Sequence, residues 1–362
     1  MKNPQLMLTA LMVALFTVIL CGCDKNGHRG GAQQPPGIHT AGSENMGNAP
    51  KPGDAPADVY VAGQGEGGSA TVWKNGVPQR LSDGAHEARA NSVFVSGGDV
   101  YVAGEECFPK SNSFVAMLWK NGSPQRLSDR TGGAEASSVH IAGGDVYSVG
   151  YETQDDIDSM EPKTFAMLWK NGAPQRLGEA NYGFSADSVF VFGSDVHVAG
   201  GEFGRATLWR NGSPHRLGDG TRASRAVSVY VQGTDVYAAG VEYDGEGQWG
   251  TIWKNGTAQH LNDGWPAAFA YSVFVLGDDV YAAGSEYNAQ KNSVATLWKN
   301  GTPRRLSDGT RMAMAHSVFV SGGDVYVAGT EDGQAILWKN GVRKELGAGA
   351  AHSVFVVPRK AP

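Results

Sequence analysis

The sequence predicts an all-β fold, a seven-bladed β-propeller with four antiparallel strands per blade. Three observations predict it. Trp, a basic residue, Asn and Gly recur seven times, at Trp73, Trp119, Trp169, Trp209, Trp253, Trp298 and Trp338, and spacings of roughly 40–50 residues mark an array of one supersecondary unit. Each copy holds four apolar, β-branched or aromatic runs between turn residues, with no helical period. The chain also enters at the second strand of one copy and leaves after the first strand of another, a cut that a closed ring repairs.

Of the 362 residues the first stretch reads as targeting sequence. Lys2 precedes an apolar run from Leu6 to Leu20 that is short for a membrane-spanning helix. Leu20-Cys21-Gly22-Cys23 resembles the bacterial lipobox, in which a small residue precedes a lipidated cysteine. The resemblance implies a signal peptide over 1–22, diacylglycerol on Cys23 and a further acyl chain such as palmitate. It implies a chain lipid-anchored to a bacterial membrane in the cell envelope, on its periplasmic or extracellular side. Several acyl chains anchor stably where one does not. Asp24 stands where an inner-membrane retention signal is read. From Asp24 to Ala57 the chain is Gly, Pro, Gln, Asn and charge, which cannot form a core and reads as a tether with a reach of about 30 Å. Cys107 is then the one other cysteine of the mature chain, placed in a loop, so no disulfide forms within the propeller of residues 58–362.

Within a copy the order is strand A (Ser-Val-Phe-Val), a Gly turn, strand B (Asp-Val-Tyr-Val-Ala-Gly), a variable loop, strand C (Ala-Thr-Leu-Trp-Lys-Asn-Gly) and strand D (Pro-Gln-Arg-Leu). Strand A starts at Ser92, Ser138, Ser188, Ser228, Ser272, Ser317 and Ser353; strand B starts at Asp58, Asp99, Asp145, Asp195, Asp235, Asp279 and Asp324. Asn-Gly between C and D predicts a type I′ hairpin in every copy. The last strand A, Ser353–Val356, is expected to pair with the strand at Asp58 and close the ring, which leaves only short edges. The blade resembles those of bacterial envelope propellers of uncharacterised role. WD40 and kelch patterns are missing, and the resemblance implies fold and location rather than activity.

A–B and C–D turns share one face of the disc and are nearly uniform. B–C and D–A loops share the other and diverge, from Glu331-Asp332-Gly333-Gln334 to the long segment between Gln154 and Lys163. Binding groups concentrate on loops held by a rigid scaffold, so the second face is the expected functional one. Two tryptophans fall outside the template: Trp249, placed in a B–C loop, and Trp265, placed in the next D–A loop. With Tyr243, Phe269, Tyr271 and Tyr287 they form the predicted ligand-binding set for a glycan, peptide or protein; Tyr182 and Phe184 extend it two blades away. The other seven Trp are expected between blades.

Glu106, Glu152, Glu202, Glu242, Glu286 and Glu331 recur after strand B and read as intrablade partners of basic residues. The strand-B Asp residues read as turn residues. The acidic run Asp155, Asp156, Asp158 and Glu161 lacks the Gly-containing calcium-loop pattern and reads as solvated charge. His316 and His352 occupy one template slot in adjacent blades, just before the strand-A Ser, and Asp187 shares it; these three are channel-rim candidates, as is the neighbourhood of His86. No His-Glu-X-X-His and no Gly-X-Ser-X-Gly occurs. The expectation is a monomeric binding or scaffold domain without cofactor, metal or catalytic residue, with an envelope polysaccharide hydrolase or lyase as the alternative. A net charge of −6 without a basic stripe argues against nucleic acid.

Overall fold

The computed structural model describes residues 57–108, 113–129, 132–154, 163–178, 184–262 and 267–359. They form seven four-stranded antiparallel sheets. Blade two, for example, runs Ala88–Ser96 (A), Asp99–Phe108 (B), Ser113–Lys120 (C) and Ser123–Arg126 (D). Blade one joins Ala57–Gly65, Ser69–Lys74 and Val77–Arg80 to the C-terminal strand Ala350–Pro358, paired Val59 to Val356 and Ala62 to Ser353. The predicted clasp closes the ring.

The repeated words build one cross-strand knot per blade. Asn75, Asn121, Asn171, Asn211, Asn255, Asn300 and Asn340 all have φ of 50–57° and precede a Gly of positive φ, as the type I′ turn requires. Each Asn amide then donates to the strand-B Asp, as Asn255 Nδ2 does to Asp235 at 2.8 Å, and its Oδ1 accepts from the next Val amide, Val236 N at 2.9 Å. The neighbouring basic residue pairs with the same Asp, Lys254 to Asp235 at 2.7 Å, and lies over Tyr237. The strand-B Asp residues are therefore cross-strand acceptors rather than turn formers. The seven template tryptophans are 2% exposed or less and pack between blades; Trp119 sits among Tyr60, Val72 and Leu81 of blade one. Removing such rings from water is the main drive for blade association, at roughly 1.5–3 kcal/mol for each large apolar side chain. Outer D strands carry Pro78, Pro124, Pro174, Pro214 and Pro303, which lack the amide that a foreign strand would pair with.

Strand A begins about four residues earlier than the Ser that marks it in sequence. Between Ala90 and Ser92, and at the equivalent place in every blade, the pairing to strand B shifts by one residue. The strand-B glycine makes this bulge possible: a Cβ on Gly240 would lie 1.9 Å from the Arg225 carbonyl oxygen, and the other six glycines meet the same obstacle. After the bulge, each template Ser accepts from an inner-strand Val amide of the next blade. Ser353 bonds Val93, Ser92 bonds Val139, and the series runs unbroken through Ser317 to Val354, at 3.1–3.3 Å. The Phe column beside it forms a closed belt of Phe94, His140, Phe190, Tyr230, Phe274, Phe319 and Phe355. Neighbouring centroids are 4.7–5.0 Å apart and the planes turn by 47–53° per blade. Burial pushes His140 down to about 4, so it joins the belt uncharged. Cys107 closes strand B of blade two and is fully buried, not in a loop.

Candidate ligand site at the channel mouth

The bulge sets the residue before each template Ser toward the axis on the B–C/D–A side of the belt. In order from blade one these are His352, Asn91, Ser137, Asp187, Val227, Tyr271 and His316. Two residues earlier stand Ala350, Arg89, Glu135, Ser185, Arg225, Phe269 and Met314. The belt end of the channel repeats one residue type with two exceptions; at this end no two blades carry the same pair of residues, although His fills the first position in both blades seven and one.

Blades five, six, seven and one supply an aromatic wall. Tyr243 meets Phe269 edge-on at 6.4 Å, Phe269 stacks on Tyr271 at 5.9 Å and 3°, Tyr271 leans on His316 at 5.6 Å, and His316 meets His352 at 5.8 Å and 88°. These geometries are the offset and edge arrangements that aromatic quadrupoles favour. His352 Nδ1 lies 3.3 Å from the Ala90 carbonyl, so this nitrogen carries the proton; His316 Nε2 lies 3.4 Å from Thr330 Oγ1. Burial, then the charge of His352, pushes His316 down to about 3; burial pushes His352 down to about 4. Burial also raises Tyr243 and Tyr271 to about 12. The whole wall is uncharged near neutrality.

Blades two to five supply the opposite wall. Arg89 donates to Glu105 at 3.0 Å and to Glu87 at 2.6 Å. Asn91 donates to Glu135 at 3.2 Å, and the Ser137 hydroxyl to the same carboxylate at 3.1 Å. Arg225 grips Asp187 through both Nε and Nη2, and Ser185 donates to Asp187 at 2.8 Å. The Glu105 side chain is only 4% exposed, whereas the Arg225 side chain is 44% exposed. Burial, then the charge of Glu135, raises Glu105; burial likewise raises Glu135. Tyr151 rises through burial and the two carboxylates. Asp187 raises Arg225.

Of the residues named from sequence, Tyr243, Phe269, Tyr271, His316, His352 and Asp187 thus come together around one opening. The last three are inside strand A at its bulge, not in a loop before it. Tyr287 ends strand B of blade six and is half-buried. Trp249 lies in strand C of blade five (Gln248–Lys254), not in a B–C loop, and joins a different group. It pairs with Glu242, stacks near His260 at 5.7 Å and takes the Arg222 guanidinium at 4.6 Å. Phe184 is buried against Phe203 at 5.0 Å. Trp265, Tyr182, the acidic run 155–161, Cys23 and the tether up to Pro56 lie outside the described residues; Ala57, the last residue of the expected tether, instead opens strand B of blade one. Glu242 and Glu331 have the intrablade basic partners expected of their column, His260 at 2.8 Å and Arg343. Arg89, Glu105, Glu135 and Arg225 went unnamed in the sequence reading. Among the described residues no group of three or more His, Cys, Asp or Glu is placed to hold a metal ion.

No family model and no curated protein matches the chain. Solved structures do. An acylaminoacyl peptidase in complex with Z-Gly-Gly-Phe-chloromethyl ketone is similar at 13% identity and a TM-score of 0.51, over 78% of this chain and 48% of that one. The Pyrococcus horikoshii acylaminoacyl peptidase, in an orthorhombic crystal form, gives 13% and 0.49 over the same shares. The β-propeller domain of the Trilobed protease from Pyrococcus furiosus, described as having an open velcro topology, gives 10% and 0.44 over 71% and 82%. The chain spans about half the length of the peptidases it matches, and likeness at this identity concerns the fold alone.

Proposed function

We propose that this chain is a binding propeller that takes a peptide, glycan or protein segment at the B–C/D–A mouth of its central channel. We place it at a bacterial membrane through lipid on Cys23, with residues 24–56 as the tether. The lipobox-like Leu20-Cys21-Gly22-Cys23 supports the anchor. One observation carries the binding reading: a mouth divided into an uncharged aromatic wall and a hydrogen-bonded ionic wall, on a scaffold whose other columns are nearly invariant. Aromatic area with few placed polar groups is the composition of a recognition site. The test is retention of the protein on peptide and glycan arrays. Retention lost in the Phe269→Ala/Tyr271→Ala variant supports the reading; retention that survives it, with the fold intact by circular dichroism, overturns it.

A hydrolase or lyase reading has one observation in its favour. The Glu105 and Glu135 carboxyls are raised toward the protonated form beside Arg89 and Tyr151, as a general acid needs. Release of new sugar ends from envelope polysaccharide, lost on Glu135→Gln, would replace the binding reading.

A further inference from the structure

The proline that seals the outer strand in five blades is missing from two. Ala258 holds its place in blade five and Arg343 in blade seven. The place is a specific one. Antiparallel partners alternate between pairs that exchange hydrogen bonds and pairs that do not. In blade seven Lys339 and Val342 close the Asn-Gly turn as a bonded pair, so Trp338 and Arg343 form the next, unbonded pair. Arg343 therefore turns its N–H and C=O away from strand C, and so does Glu345, which stands opposite Ile336. In the sealed blades the first of these outward positions is the proline nitrogen, which offers a foreign strand no donor. The opening is also longest in blade seven. Its D strand, Val342–Ala348, has seven residues against four in every other blade, is exposed except at Leu346, and ends its sheet.

We propose that this edge pairs antiparallel with the same edge of a second copy of the chain, Arg343 opposite the second copy's Glu345. None of its residues belongs to the mouth, so the pairing stands apart from the binding reading above. The segment Val342-Arg343-Lys344-Glu345-Leu346 is complementary to itself in reverse. Centred on Lys344, it sets Val against Leu and Arg against Glu. Arg343 and Glu345 are also the two residues whose backbone faces outward, so the pair exchanges both N–H···O=C bonds, and the two-fold axis repeats it. Their side chains share one side of the strand: Arg343 Nη1 and Nη2 each lie 3.4 Å from Glu345 Oε2, and Arg343 Nε donates to Glu331. Pairing gives each guanidinium a second copy's carboxylate beside its own. Opposite charges across strands stabilise and like charges destabilise. A register shifted by two residues opposes Arg343 to itself or Glu345 to itself, so charge selects one register. The cost is Lys344, which meets its counterpart on the axis. Its Nζ lies 3.4 Å from the Asn75 carbonyl oxygen of blade one, which draws the ammonium off the axis. The same arrangement in blade five would set Ala258 against His260 and offers no opposed charges.

Sedimentation velocity of the full chain tests it. So short an edge is a small interface, and the expected dissociation constant of the dimer is on the order of 100 µM. Arg343→Pro copies the sealed blades, while Arg343→Glu and Glu345→Arg oppose like charges; each should weaken association at least about tenfold. An equimolar mixture of the Arg343→Glu and Glu345→Arg chains should associate again, because every charge then meets its opposite. Ala258→Pro should leave the association of the parent unchanged. A parent that stays monomeric at about ten times the expected constant overturns the proposal. So does a dimer that survives Arg343→Pro, or one that Ala258→Pro abolishes. A mixture no more associated than its two components overturns the register, and this arm still decides if the proline variant fails to fold by circular dichroism.

Discussion

The two ends of each inner strand obey different rules. Toward the A–B turn, the Ser-Val-Phe-Val segment repeats around the ring, and its serines and rings make the same contact seven times: a hydroxyl to the next Val amide and one ring against the next. Toward the D–A side, five residues along the same strand, no blade repeats the side chains of its neighbour. Position 89 and its counterparts hold Arg, Glu, Ser, Arg, Phe, Met and Ala. Sequence repetition here marks the joints of the ring. Sequence variety within one structural column marks the end of the channel at which we propose that a ligand binds. The bulge separates the two regimes, because it turns one residue per blade toward the axis without disturbing the ladder on either side.

The largest effect should come from the joint. Deletion of residues 351–356 removes the inner strand of blade one and with it the Ser353–Val93 and Val354–Ser317 bonds that tie blade one to its neighbours. It also exposes the edge of Ala57–Gly65. We expect the melting temperature to fall by more than about 15 °C, or the transition to lose cooperativity, in differential scanning calorimetry. A truncated chain that melts like its parent would show that the ring does not depend on its clasp.

The mouth should respond to pH, and its two walls should respond with opposite sign. His316 and His352 have folded values of about 3 and 4 against an ordinary 6.5, so the stability they contribute is whole above 6.5 and is lost as pH falls toward those values. Glu105 and Glu135 are raised from 4.5, so their contribution is whole below 4.5 and is lost as pH rises from there. Thermal melts across the acidic to neutral range should therefore bend down at both ends. His316→Gln/His352→Gln should flatten the acid limb and Glu135→Gln the other, each by on the order of 5 °C. A histidine double variant that keeps the parent acid limb would assign that limb to groups outside the mouth.

Much of this was legible in the chain because local chemistry and global closure agree. Asn-Gly turns, the Trp column and the cut phase each imply the blade and the clasp. The start of strand A was not legible. Segments such as Ala88-Arg89-Ala90-Asn91 carry little β signal, and the bulge breaks the two-residue alternation that would have revealed them. The slot of His316, His352 and Asp187 could be found because it is one column of the template. The ionic wall lies in two further columns, the residue two before that slot and the residue after the strand-B glycine. Comparing those columns blade by blade, rather than searching for motifs, is the signal that would have named Arg89, Glu105, Glu135 and Arg225.

Trp249 is where a sequence neighbour and a structural neighbour part company, and it supplies the smallest expected effect. Glu242 pairs with Trp249 and Tyr243 pairs with Gln248 on the same two strands. Successive strand residues face opposite sides of a sheet, so Tyr243 turns to blade six and the channel while Trp249 turns away from it. A Cβ on Gly218 of blade four would meet the Glu242 carboxylate at 2.9 Å, which fixes the side that the Glu242–Trp249 pair faces. Trp249→Ala removes one cation–π contact with Arg222 and one half-buried ring, a loss of about 1–2 kcal/mol in stability. Affinity at the mouth should stay within about twofold of the parent. Tyr271→Ala should also lower the melting temperature, since its ring packs between Phe269 and His316, but it should in addition lose about tenfold in affinity. Binding measured on both variants with the same probe separates the two aromatic groups; an affinity loss in Trp249→Ala as large as that in Tyr271→Ala would extend the site across blade five.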